Sequence, residues 1–124
     1  MHELSLCEDL LSQVSILARQ HQAHSVHSIT VNIGALSGVE PMLLESAFAI
    51  GRVGTIAEQA RLILEPVPAR VRCGRCGIDA EVPANRLICP SCRSTDTSLL
   101  SGDELILARV ELDCEPEHAA TTAR

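Results

Sequence analysis

Aromatic residues are nearly absent from this sequence. Phe48 is the only one among 124 residues, and there is no Trp or Tyr. A hydrophobic core must therefore be built from Leu, Ile, Val and Ala, which the apolar content of 46% allows. The side chains on which single-stranded nucleic acids usually stack are missing as well. The length suits one small domain with an appendage.

Lysine is missing altogether: all ten basic residues are Arg, and the net charge is −6. This acidic balance disfavours non-specific binding to nucleic acid or anionic membranes. Without Lys there is no phosphate-binding loop of the Gly-x-x-x-x-Gly-Lys type. No apolar run approaches the ~20 residues of a membrane span, and the start lacks the basic-then-apolar order of a signal peptide. No Ser–His–Asp arrangement is recognisable, so a hydrolase triad has no support.

The strongest positive signal is a pair of Cys-x-x-Cys motifs separated by twelve residues, formed by Cys73, Cys76, Cys89 and Cys92. Four thiolates at about 2.3 Å fill the tetrahedral coordination of Zn²⁺ and leave no position open for a substrate. We therefore predict a structural zinc site, with Arg72, Arg75 and Arg93 offsetting the negative charge of the zinc tetrathiolate. Metal-type cysteines without a secretion signal also predict a cytoplasmic location.

The four cysteines allow other interpretations. Two disulfides or a redox-active Cys-x-x-Cys would fit the same residues, and a thiol oxidoreductase predicts one cysteine of low pKa and one dispensable motif. A zinc ribbon that binds nucleic acid shares the spacing but requires a basic face or stacking aromatics. Residues 66–100 hold five Arg against three acids, and zinc with four thiolates brings this segment close to neutrality.

Hydrophobic periodicity predicts an α+β fold. Apolar residues at steps of three and four indicate a helix over residues 4–20, and alternation over 28–34 indicates a half-buried strand. Pro41 suits the first position of a second helix, which Gly51 and Gly54 end. A strand at 62–64 is expected to end at Pro66, and another covers 104–112.

These elements predict a small three-stranded sheet with two helices on one face and an inserted zinc-ribbon module. The zinc module would lie between neighbouring strands if the last strand pairs beside the second. The predicted domains are an α+β domain of residues 1–65 and 101–112, a zinc-binding module of 66–100 and a flexible tail of 113–124.

The chain begins Met1-His2-Glu3. A bulky second residue blocks removal of methionine, so the free amine of Met1 is expected to persist. That amine, the amide nitrogen and imidazole of His2, and the amide nitrogen of Glu3 can form fused chelate rings. Such nitrogen sets suit square-planar Ni²⁺ or Cu²⁺ rather than Zn²⁺ or Mg²⁺. From spacing alone, a frayed terminus with a solvated His is the more common interpretation.

Several segments together resemble the HypA/HybF family of hydrogenase-maturation nickel metallochaperones. The similarity covers about residues 1–112 and includes the four cysteines. The other matching segments are Met1-His2-Glu3-Leu4-Ser5-Leu6-Cys7, Ile33-Gly34-Ala35-Leu36-Ser37-Gly38-Val39-Glu40-Pro41, Gly54-Thr55, Ala57-Glu58, Ala60-Arg61-Leu62 and Gly102-Asp103-Glu104-Leu105. An opening Met-His-Glu combined with a four-cysteine module makes the resemblance specific.

The resemblance implies Ni²⁺ as cargo at Met1, His2 and Glu3, with Glu40 as an accessory residue near the nickel. It implies delivery to the nickel-iron centre of hydrogenase, together with the nickel-handling GTPase HypB and the hydrogenase large-subunit precursor. Urease maturation proteins are further implied partners, and the resemblance implies that the protein is a monomer or a homodimer. The sequence departs from the family pattern at Arg93, because a Gly often follows the last cysteine of the second motif in the family.

Other candidate ligands have simpler interpretations. Cys7 lies on the apolar stripe of the first helix and is expected to be a small buried residue. His21, His24 and His27 are spaced by three and form either an accessory nickel store or, as we favour, a solvated set. Cys114 and His118 are four residues apart in a segment without preorganisation, so we interpret them as part of a spacer.

Overall fold

The computed structural model describes residues 2–114, and for His2 it describes the helical backbone alone. Two helices and six strands make up this range. In chain order they are α1 (His2–Gln20), β1 (Ala23–Gly34), α2 (Pro41–Gly51), β2 (Arg61–Val67), β3 (Ala69–Cys73), β4 (Asp79–Val82), β5 (Thr97–Ser101) and β6 (Leu105–Cys114). The fold is α+β, as predicted. Among these residues, no helix is long and apolar enough to cross a bilayer.

Helix α1 buries the stripe that its sequence periodicity predicts. Cys7, Leu11, Val14 and Ala18 are all at most 7% exposed. The helix has Glu3 in its first turn and Arg19 in its last, so both charges complement the helix dipole.

Helix α2 begins at Pro41 as predicted, and it buries Leu44, Ala47 and Phe48. The two helices pack closely at Gly51, where an added Cβ would lie 3.3 Å from Cδ1 of Leu11. A small cavity is lined by Leu11 of α1, Ile29 of β1 and Leu44 of α2, so both helices meet the same side of β1.

The first sheet has the strand order β2-β1-β6. The last strand therefore lies beside β1 and not beside β2, which corrects the expected insertion between neighbouring strands. The hydroxyl of Ser28 donates to Glu111 at 2.7 Å, and that of Ser25 donates to Asp113 at 3.0 Å. Because the partner number falls as the β1 number rises, β1 and β6 run antiparallel.

Strand β1 is more deeply buried than its alternating sequence predicts. The predicted inward residues Ile29, Val31 and Ile33 are buried, but so are Ser28 at 2% and Thr30 at 7% exposure. The central position of β1 in the sheet explains the difference, because neighbours flank it on both edges. The hydrogen bond to Glu111 satisfies the hydroxyl of Ser28, which would otherwise be costly to bury.

The prediction that Pro66 ends its strand was wrong. Strand β2 continues from Arg61 to Val67 and contains Pro66. Its position explains this, since β2 is at the edge of the sheet, where one row of N–H groups has no ladder partner and a proline removes no hydrogen bond.

A second sheet, which the sequence did not predict, has the order β4-β3-β5. Strand β3 pairs antiparallel with β4, for example Val71 with Ala80, and with β5, for example Val71 with Leu99. A small core of Ala69, Val71 and Val82 supports it, with Leu36 packed against it. This sheet ends at Cys73 and so determines where the first cysteine lies.

The described residues divide into two compact units. One consists of residues 2–31, 40–63 and 107–114, and the other of 32–39 and 64–106. The first contains both helices, and the second contains the whole β4-β3-β5 sheet and all four clustered cysteines. The four clustered cysteines therefore all lie within one unit.

Candidate metal sites

The Sγ atoms of Cys73, Cys76, Cys89 and Cys92 all lie within 4.8 Å of one another. The distances are 3.6 Å between Cys73 and Cys92 and 3.6 Å between Cys76 and Cys89. Tetrahedral Zn–S bonds of about 2.3 Å require sulfur–sulfur separations of about 3.8 Å. The cluster fits a four-thiolate metal site. A disulfide requires about 2.05 Å, so none of the four cysteines is disulfide-bonded.

Two equivalent turns place the cysteines. In the first, the N–H of Gly77 donates to the carbonyl of Cys73 at 3.0 Å, and in the second, that of Arg93 donates to Cys89 at 2.9 Å. Each turn is closed at its base, by the N–H of Cys73 on Ile78 at 2.9 Å and by that of Cys89 on Ser94 at 3.0 Å. The repeated geometry brings the second cysteine of each motif back toward the first.

Gly77 and Arg93 end the two turns at equivalent positions, but the free energy that this backbone conformation costs differs between them. Gly77 has a φ of 81° and Arg93 has a φ of 64°. Glycine adopts this left-handed region freely, whereas a side chain such as that of Arg93 is strained there by about 1–2 kcal/mol. The departure noted in the sequence at Arg93 therefore keeps the left-handed conformation of the turn but makes it more costly.

Backbone N–H groups point at the first sulfur of each motif. Cys76 and Arg75 both donate to Sγ of Cys73 at 3.3 Å, and Cys92 donates to Sγ of Cys89 at 3.5 Å. The backbone hydrogen bond from Cys76, helped by that from Arg75, lowers the pKa of Cys73 to about 6. The bond from Cys92 similarly lowers the pKa of Cys89. These hydrogen bonds favour the thiolate form of both sulfurs, which is the form that binds metal.

In each motif the pKa of the second cysteine is raised and not lowered. A backbone hydrogen bond at Ile78 favours the thiolate of Cys76, but desolvation and the shared hydrogen bonds with Cys89 and Cys73 outweigh it and raise its pKa to about 11. The pKa of Cys92 is also raised. In each motif the first cysteine therefore loses its proton more easily than the second.

The arginines near the cluster do not all serve the role that the sequence suggested. Arg72 forms a two-pronged contact with Asp79, at 2.7 and 3.0 Å. This contact raises the pKa of Arg72 and lowers that of Asp79. Arg72 is therefore committed to a carboxylate across the β3–β4 ladder, and its charge is already offset without the zinc thiolates.

The candidate nickel residues lie at the start of α1. Met1 is outside the described residues, and the side chain of His2 is also undescribed. Glu3 is half-buried in the first turn, and one of its carboxylate oxygens accepts a hydrogen bond from the backbone N–H of Glu40 at 3.3 Å. The structure thus brings Glu3 and Glu40 together, which no sequence spacing could have indicated.

The remaining candidate ligands do not form a second cluster. Among residues 3–114, the four cysteines are the one group of three or more His, Cys, Asp or Glu side chains close enough to share a metal. Cys7 is 1% exposed, as predicted, and burial raises its pKa. Cys114 ends β6 and donates to the carbonyl of His21 at 3.6 Å, while His118 lies outside the described residues.

Comparisons with known proteins agree on one family. Residues 1–112 match the sequence model of the family described as hydrogenase/urease nickel incorporation, metallochaperone, HypA. The chain is 41% identical over 115 residues to a hydrogenase maturation factor HypA of Aquifex aeolicus, covering 93% of this chain and 100% of the relative. It is 45% identical over 112 residues to that of Nitrosospira multiformis, covering 90% and 97%.

Solved structures show the same fold. The solution structure of a HypA protein matches with a TM-score of 0.72 at 26% identity, covering 93% of this chain and 98% of the other. The solution structure of the nickel metallochaperone HypA from Helicobacter pylori matches with a TM-score of 0.66 at 24% identity, covering 91% and 98%. The chain therefore shares its fold with proteins whose structures have been solved in solution.

Proposed function

Because the chain belongs to the HypA family of hydrogenase/urease nickel-incorporation metallochaperones, which are not enzymes, we propose that it carries Ni²⁺ at its N-terminus. The metal is held by Met1, His2 and Glu3 and is delivered to the nickel-iron centre of hydrogenase. The family match carries this proposal, since it starts at residue 1 and runs through the four-cysteine cluster to residue 112.

The chemistry of the first residues supports a planar nickel chelate. The α-amine of Met1, with an ordinary pKa of about 7.7–8.0, loses its proton far more easily than a Lys side chain. The imidazole of His2 and the amide nitrogens of His2 and Glu3 complete a nitrogen set suited to Ni²⁺. Binding releases protons, so nickel affinity should rise with pH.

The start of α1 makes this arrangement compatible with the helix. An α-helix uses none of its first four N–H groups as donors to a carbonyl four residues earlier. Helix α1 begins at His2, so deprotonating the amides of His2 and Glu3 breaks no such bond. The chelate can therefore form and open without unfolding the rest of the helix, as release of cargo requires.

The four cysteines serve a different purpose. We assign Zn²⁺ to Cys73, Cys76, Cys89 and Cys92, where four thiolates would leave no open position for cargo. We propose that residues 66–100 form the zinc-binding module and that residues 1–65 with 101–112 form the nickel-binding domain. The zinc holds the second sheet and its turns in shape, because a core of three buried residues supplies little stability alone.

The proposed partners follow from the delivery of nickel. They are the GTPase HypB, the hydrogenase large-subunit precursor and urease maturation proteins, and the chain acts as a monomer or homodimer. A separate GTPase is required, since a sequence without Lys has no phosphate-loop lysine. We place this activity in the cytoplasm, where cysteines stay reduced and able to bind zinc.

A nickel titration of the zinc-loaded protein tests the proposal. Protein with an authentic N-terminus should bind one Ni²⁺ per chain and give the spectrum of a planar, nitrogen-rich centre. An acetylated N-terminus, or His2→Ala, should abolish tight nickel binding and leave zinc content and helix content unchanged. Unchanged nickel affinity in either variant would refute the N-terminal site.

A further inference from the structure

A groove of about 340 Å³ lies beside the second cysteine motif. Its volume falls at the lower end of the range for ligand pockets, roughly 300–1,000 Å³. Buried Val82 and Cys89 lie at its base, and Pro83 and Pro90 are among the residues that form its walls. Two fixed proline rings give these walls a shape that needs little ordering when a ligand binds.

Two arginines line the same groove. Arg86 and Arg93 are both exposed. Within the described part of the chain, neither guanidinium has a hydrogen bond or an ion pair, in contrast to Arg72, which is held by Asp79. Each guanidinium therefore offers a planar set of five donors that suits a carboxylate.

The backbone of Arg93 strengthens the argument for a binding role. Its φ of 64° belongs to the region that the equivalent Gly77 occupies at 81°. A glycine at position 93 would relieve the strain, yet the chain has a long cationic side chain there. Strained residues of this type concentrate at functional sites, where the surrounding structure holds them.

The charge around the groove selects an anionic partner. Glu81 is the one acid among the residues that line it, against two arginines. Glu81 lies directly across the β3–β4 ladder from Arg70, so a cation of the same sheet already faces this carboxylate. A carboxylate close to Arg86 and Arg93 would therefore find a net positive surface.

We propose that this groove binds an acidic segment of a partner protein, with an aliphatic side chain between two carboxylates. The carboxylates pair with Arg86 and Arg93, and the aliphatic side chain packs against Pro83, Pro90 and Ile88. A peptide fits better than a nucleic acid, because the groove has no aromatic side chain for base stacking and the whole chain has a net charge of −6. This docking function is separate from the nickel chelate and does not depend on it.

Fluorescence anisotropy with a labelled peptide tests the proposal on the zinc-loaded full chain at low ionic strength. The probe is fluorescein-Glu-Leu-Glu-Leu-Glu-amide, with the dye on the N-terminal amine. It should bind, and a matched peptide with Ser in place of Leu should bind more weakly. Arg93→Gly and Arg86→Gln should each weaken binding of the probe about tenfold, the effect of losing one charge-assisted contact.

Two controls separate docking from folding and from general charge. Arg93→Gly should raise the denaturation midpoint because it removes backbone strain, so weaker binding by this variant cannot result from unfolding. Arg75→Gln removes an exposed cation that does not line the groove and should leave binding unchanged.

Four outcomes would overturn the proposal. The first is that the unmodified chain does not bind the probe, and the second is that Arg93→Gly and Arg86→Gln bind it as tightly as the unmodified chain does. The third is that Arg75→Gln loses as much affinity as these two variants. The fourth is that the chain binds a single-stranded oligonucleotide more tightly than the peptide.

Discussion

The backbone N–H of Glu40 donates a hydrogen bond to the carboxylate of Glu3, with 3.3 Å between the nitrogen and Oε2. Glu40 directly precedes Pro41, the first residue of α2, and it has no side-chain cap of its own. The carboxylate of Glu3 therefore lies near the positive end of the α2 dipole, where a negative charge is favourable. This use of the carboxylate favours the amide nitrogen of Glu3, rather than its side chain, as the nickel donor.

Two substitutions at Glu3 distinguish these donors. Glu3→Gln keeps an oxygen that can accept from Glu40, so nickel affinity should change by less than about threefold. Glu3→Pro removes the ionisable amide, which would leave the chelate one nitrogen short, and should lower nickel affinity at least about a hundredfold. Proline is tolerated in the first helical turn. Competition against a chelator of known affinity measures both; a larger loss in Glu3→Gln than in Glu3→Pro would point to carboxylate coordination.

The four cysteines should act as one set. Cys73→Ala and Cys92→Ala should each abolish zinc binding and disorder residues 70–95, because three thiolates cannot complete the site. Cys114→Ala, which changes a cysteine outside the cluster, should keep one zinc per chain. Metal analysis and amide hydrogen exchange measure these effects. If one motif could be deleted while the other retained a folded module, a redox role would be favoured over structural zinc.

Zinc affinity should rise steeply with pH. Near neutral pH, Cys73 with a pKa of about 6 is a thiolate, while Cys76 with a pKa of about 11 and Cys92 with a raised pKa are thiols. Zinc must displace at least the protons of Cys76 and Cys92, so the logarithm of the association constant should rise by at least about two per pH unit. Below about pH 6 the slope should increase as Cys73 protonates. A chelator competition series would show this, and a flat profile would contradict it.

A close backbone approach makes Gly34 irreplaceable. The N–H of Leu36 donates to the carbonyl of Gly102 at 2.5 Å, and a Cβ on Gly34 would collide with that same carbonyl. Gly34→Ala should therefore lower the free energy of unfolding by about 2–3 kcal/mol. Gly38→Ala is the matched control, since a Cβ there meets nothing within 4 Å and only the φ of 79° opposes it, at about 1 kcal/mol. Urea denaturation of the zinc-loaded protein compares them, and equal losses would exclude the steric explanation.

Local patterns in the sequence predicted what depends on local geometry. The apolar steps of three and four predicted the buried face of α1 at Cys7, Leu11, Val14 and Ala18, since a helix repeats every 3.6 residues. Pro41 correctly marked the start of α2. The paired cysteine spacing predicted that four sulfurs would converge, because each three-residue step closes its own turn.

Predictions that required long-range information were less successful. Burial of Ser28 and continuation of β2 through Pro66 both depend on which strand is central and which is at the edge, and alternation within one strand carries no such information. The pairing of Arg72 with Asp79 depends on the β3–β4 register, which was not predicted.

The sequence alone determined the two helices and the residue types that can hold metal, because helical periodicity and Cys-x-x-Cys turns are encoded over a few neighbouring residues. Only the tertiary structure decided the strand orders, the approach of Glu40 to Glu3 across 37 positions, and the groove that exposes Arg86 and Arg93. Such contacts arise from the packing of distant segments into shared cores, and packing selects among many pairings that the local patterns leave equally allowed.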